Sequence, residues 1–135
     1  MNTDIHPKRV LILDDQPVVL EQVDRCLRNH NFEPIPTTSW TKAIDLVTHN
    51  TPDLVILDLQ MPTIQGNSVL DLIRQDGHSF PIIVMSAYLN EEKMDELRLL
   101  GANEFLSKPF HLNDLVSTVQ RLLGQPPVTE SSQEA

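Results

Sequence analysis

Residues 54 to 66 read LVILDLQMPTIQG, in which four apolar residues run into a single aspartate, Asp58, and a Met-Pro pair and a glycine follow. A continuous apolar run of this length, rather than an alternating one, is what a strand buried on both faces requires. Other runs have the same form. VLIL (Val10 to Leu13) ends in Asp14 and Asp15, IIVM (Ile82 to Met85) precedes Ser86, and NEFLS (Asn103 to Ser107) leads to Lys108. A weaker extended piece lies around Phe32 to Ile35. Between the runs, apolar residues return at helical spacing: Leu20, Val23 and Leu27; Trp40, Ala43, Ile44 and Val47; Val69, Leu72 and Ile73; Met94, Leu97 and Leu100; and Leu112, Leu115, Val116, Val119 and Leu122. Five βα units in a row predict an α/β domain, a doubly wound five-stranded parallel sheet with helices on both faces.

Length allows one such domain: 135 residues can bury a single core but not two. Ten Lys and Arg stand against 19 Asp and Glu, a formal charge of -9, which opposes unaided binding to nucleic acid or to anionic membranes. The start MNTDIHPKRV has no apolar signal segment, and no run approaches the roughly 18 apolar residues needed to span a bilayer, so a cytoplasmic protein without membrane contact is expected. Cys26 falls on the apolar spacing Val19, Val23, Cys26, Leu27 and reads as a core residue. Five histidines are scattered without metal-ligand spacing. Residues 1 to 7 read as an N-terminal extension, 8 to 124 as the domain, and 125 to 135, rich in Pro, Ser and Glu, as a disordered tail or the start of a linker.

In open α/β sheets, functional groups gather at the carboxyl ends of the strands. Asp14, Asp15, Asp58, Ser86 and Lys108 each stand at or just after such an end. Singly, an Asp there is often only a helix cap or turn residue; it is their joint occurrence on four strands that suggests a site. Three carboxylates at one rim repel one another unless a cation sits among them, and an all-oxygen set suits Mg2+. A carboxylate beside such a metal can attack a phosphoryl group, and an ammonium and a hydroxyl can receive the transferring oxygens. Asp58 is the natural nucleophile, Lys108 the cation and Ser86 the hydroxyl.

Taken in order, ILDDQ, LVILDLQMPTIQG, IIVMSAY and GANEFLSKPF resemble the receiver domain of bacterial two-component response regulators, over residues 8 to about 123. The resemblance implies a flavodoxin-like (βα)5 fold with strand order 2-1-3-4-5, an order for which a receiver protein is one of the standard examples. It implies that Asp58 is the phosphoacceptor, that Asp15 is a direct Mg2+ ligand and Asp14 one acting through water, and that the backbone carbonyl of Gln60 completes the protein ligands. Ser86 and Phe105 match the switch residues, and Lys108 the cation, with a cis Lys108-Pro109 bond. The implied partners are a sensor histidine kinase or histidine phosphotransfer protein and a downstream output protein or domain. The face built by the fourth helix, fifth strand and fifth helix would carry the output, with a phosphorylation-dependent homodimer as one form of it.

Gln60 and Tyr88, two positions beyond Asp58 and Ser86, match positions that tune phosphate lifetime in the family, and a bulky Tyr88 predicts slow loss of phosphate. Met61 and Pro62 are expected to shape the loop after Asp58, and Gly66 to start the next helix. Two competing readings are a phosphorylation-independent interaction module with the same fold and a haloacid-dehalogenase-like phosphatase. The latter needs a second acid two residues after the nucleophile, where this chain has Gln60.

Overall fold

Each apolar run becomes a strand of one sheet. In the computed structural model, which describes residues 6–61, 64–75 and 77–124, β1 is Arg9–Leu13, β2 Glu33–Thr37, β3 Leu54–Asp58, β4 Ile82–Ser86 and β5 Glu104–Ser107. All five are parallel, in the spatial order β2-β1-β3-β4-β5. The helices are α1 Pro17–Asn29, α2 Trp40–His49, α3 Gly66–Arg74, α4 Glu91–Leu99 and α5 Leu112–Leu122. Pro17 opens α1, where a missing N–H costs nothing, and Ser39 and Asn90 cap α2 and α4 through the backbone N–H groups of Lys42 and Lys93.

Successive strand residues point to opposite faces, and both faces are covered. Leu11, Leu13, Val55, Leu57, Ile82 and Val84 pack with Ala43, Val47, Val69, Leu70, Ile73 and Leu97 from α2, α3 and α4. Val10, Ile12, Leu54, Ile56, Ile83 and Met85 pack with Leu20, Val23, Leu27, Leu115, Val116 and Val119 from α1 and α5. The double-sided burial explains why the sequence shows continuous rather than alternating strands. Cys26 lies at the margin of the second core and stays half-buried, where burial raises its thiol pKa. Trp40 packs at the margin of the first core.

Two features depart from the sequence reading. The extended piece expected at Phe32 to Ile35 starts at Glu33 and runs through Pro34 and Pro36 to Thr37, because a strand at the sheet edge needs donors on one side only. A short antiparallel pair, Gln60–Met61 with Ile64–Gln65, also folds the loop after Asp58 back on itself before Gly66 begins α3. Pro62, most of the N-terminal extension (residues 1 to 5) and the tail from residue 125 lie outside the described residues. Among the described residues, no helix is long and apolar enough to cross a membrane.

Candidate phosphoacceptor site

The carboxyl ends of β1, β3, β4 and β5 share one rim. Asp14 and Asp58 are buried while Asp15 lies on the solvent side, and one oxygen from each falls within 4.8 Å of the others. Such a pocket of ionisable oxygens fits a small hard cation. Lys108, just beyond β5, reaches in between: its Nζ is 2.9 Å from Asp14 Oδ2 and 3.3 Å from Asp58 Oδ2. The ammonium therefore sits closer to Asp14 than to the expected nucleophile. Backbone donors secure the remaining oxygens. Gln16 N–H donates to Asp14 Oδ1 at 2.8 Å, and Gln60 N–H to Asp58 Oδ1 at 3.0 Å.

Burial shapes the electrostatics. It raises the Asp58 pKa from 3.8 to about 6; the Gln60 hydrogen bond opposes this, the Asp14 charge adds to it, and Lys108 opposes it again. For Lys108, burial alone would lower the pKa, but its hydrogen bonds and charge pairing with Asp14 and Asp58 outweigh this and raise it. The ammonium thus stays charged at neutral pH.

Ser86 ends β4, one residue past the Met85 that pairs in register with Asp58. It is buried, its Oγ accepts from Tyr88 N–H at 3.0 Å, and its carbonyl accepts from Lys108 N–H at 2.8 Å. The Lys108-Pro109 bond is cis. Phe105 stands apart from the acidic cluster, half-buried against the first core, with the Arg98 guanidinium 5.1 Å from its ring centroid. Sequence spacing gives no sign of this cation–π contact, because helix and strand bring the two together only in three dimensions. Tyr88 is 76% exposed. The Gln60 side chain reaches from the loop after β3 to the loop after β4, where its Oε1 accepts from Ala87 N–H at 3.1 Å.

Comparison with known proteins bears on the family and the fold. The family model described as response regulator receiver domain matches residues 10–120. The chain is 34% identical over 132 residues to the transcriptional regulatory protein PrrA of Mycobacterium bovis, covering 98% of this chain and 57% of that one. It is 32% identical over 117 residues to the response regulator MprA of Mycobacterium sp. strain KMS, covering 87% and 51%. It therefore spans little more than half the length of these relatives. Among solved structures, the Vibrio cholerae chemotaxis protein CheY4 superposes with a TM-score of 0.82 at 26% identity, covering 87% of this chain and 99% of that one. The receiver domain of the Francisella response regulator 1452 does so with a TM-score of 0.82 at 25% identity, covering 87% and 97%. With its fold, its acidic rim and a family match over most of its length in agreement, the chain belongs to the response regulator receiver domain family.

Proposed function

We propose that this domain is the phosphoacceptor switch of a two-component phosphorelay, with Asp58 taking a phosphoryl group from a phosphohistidine on a sensor histidine kinase or histidine phosphotransfer protein. The observation that carries this reading is the placement of one buried strand-end carboxylate, Asp58, beside an ammonium at 3.3 Å and two further carboxylates. In the transfer, an Asp58 oxygen forms the bond to phosphorus as the bond to the histidine nitrogen breaks, the electron pair remaining on that nitrogen. Lys108 offsets charge on the phosphoryl oxygens, and the Ser86 hydroxyl binds one of them. A Mg2+ ion held by Asp14, Asp15, Asp58 and the Gln60 backbone carbonyl would supply further neutralisation of the carboxylates and phosphoryl oxygens. The domain acts only on itself, in gaining and losing phosphate.

Phosphorylation adds about -1.5 to -2 charges at the rim. Drawing Ser86 and Lys108 inward, together with a shift of Phe105, would alter the face formed by α4, β5 and α5, the surface for an output protein, output domain or second copy. Since the relatives are nearly twice as long, an output domain beyond residue 135 fits this reading, and the domain itself, at a charge of -9, is not the nucleic-acid contact. The phosphatase reading gains nothing from the geometry, since Gln60 holds a backbone N–H where that chemistry needs an acid.

Incubation with Mg2+ and acetyl phosphate, read by intact-protein mass, tests the proposal. The wild type gains about 80 Da, one phosphoryl group, and Asp58→Asn gains none. An adduct that survives in Asp58→Asn overturns the assignment.

A further inference from the structure

We infer that the Gln60 carboxamide is a strap across the Asp58 site, withholding the Ala87 N–H from an incoming phosphoryl group and tying together the loops after β3 and β4. The inference rests on the phosphoacceptor reading. Gln60 donates its own N–H to Asp58 Oδ1, which fixes the residue beside the nucleophile. From there its side chain crosses to a residue 27 positions away, and Oε1 takes up the Ala87 N–H. Because Asp58 pairs in register with Met85, Ala87 is two residues past the point where β3 and β4 run side by side, and its N–H stands at the same rim.

The other donors here hold firmer partners. Lys108 Nζ is held by two carboxylates, Tyr88 N–H by the buried Ser86 hydroxyl, and Lys108 N–H by the Ser86 carbonyl. Ala87 N–H alone among them is held by a neutral oxygen on an exposed, rotatable side chain. Hydrogen bonds to an anionic oxygen are roughly twice as strong as neutral ones, so a phosphoryl oxygen displaces the carboxamide. Displacement unties the Ser86–Tyr88 loop from the loop that carries the nucleophile. The strap thus makes occupancy of Asp58 and freedom of that loop one event, and each opposes the strap's closure.

The test uses the full chain, 15N-labelled, with Mg2+ and beryllofluoride as the phosphoryl mimic, and compares wild type with Gln60→Met and Gln60→Ala. Methionine keeps the bulk and lacks the acceptor, and neither substitution removes the backbone carbonyl. The strap requires faster hydrogen exchange of the Ala87 amide in both variants and beryllofluoride binding about three- to tenfold tighter, the worth of one neutral hydrogen bond no longer displaced. Unchanged exchange or unchanged affinity in Gln60→Met overturns it. So does tighter binding in Gln60→Ala alone, which would make bulk rather than the hydrogen bond the obstacle. Wild type that fails to bind beryllofluoride would instead bring down the phosphoacceptor reading, and the strap with it.

Discussion

Asp58 holds its proton about two pH units longer than an exposed carboxylate, because water is excluded and Asp14 is close, while Gln60 and Lys108 offset only part of that penalty. With the folded value near 6 and the ordinary one at 3.8, the folded protein binds the extra proton between them. Metal-free wild type therefore loses stability as pH rises through that window, and Asp58→Asn does not. Above pH 6 the variant is the more stable by roughly 1–2 kcal/mol, discounted for solvent screening at the rim, as urea unfolding at pH 4 and pH 7 will measure. On the proposed reading proton and metal compete for the same oxygens, and calorimetric titration is expected to find Mg2+ affinity falling as pH drops through about 6. The sequence alone brought Asp14, Asp15, Asp58, Ser86 and Lys108 to one rim, because strand ends of a parallel sheet share an edge. That Lys108 pairs more closely with Asp14, or that Gln60 reaches Ala87, depends on side-chain directions which spacing does not encode.

At the level of elements, α4 is the exception to the helical pattern. Leu97 is its one buried residue and Leu99 is 89% exposed, so its single clean sequence signals are the Asn90 cap and the acidic first turn. The connection leaving α4 is clasped from outside. Arg74 of α3 donates to the Gly101 carbonyl at 2.8 and 3.2 Å, to the His78 carbonyl at 2.8 Å and to Asn103 Oδ1 at 3.0 Å, while its guanidinium lies over Phe80. Gly101 has a φ of 113°, and a Cβ there would lie 2.7 Å from Arg74 Cγ. Gly101→Ala is expected to cost about 1–3 kcal/mol, read as a lower urea midpoint, and to cost less in an Arg74→Ala background, where the side chain that the new Cβ would meet is already gone. At the far edge, the Glu33 N–H faces β1, so Pro34 and Pro36 turn their missing donors outward and leave β2 a poor template for another strand.

For the molecule as a whole, two cores are pressed on the two faces of one sheet. Leu57→Ala, at a fully buried position of the first core, is expected to lower unfolding free energy by about 2–5 kcal/mol, whereas Val18→Ala, 64% exposed on α1, should change it by less than about 0.5 kcal/mol; denaturant midpoints distinguish the two. The number of strands, their parallel direction and the side of the sheet carrying the site were readable from sequence because burial on two faces and right-handed crossovers allow few alternatives. That β2 lies at one edge was implied by the family resemblance, while the residues themselves showed it only faintly, as prolines in a weak apolar segment. Sequence by itself determined the fold and the membership of the acidic rim, since both follow from local pattern and chain topology. Tertiary structure alone decided the partners within and around that rim: Lys108 between two aspartates, Arg98 over Phe105 and Gln60 against Ala87. Those pairings join residues distant in the chain, and their geometry is set by how packed elements aim their side chains.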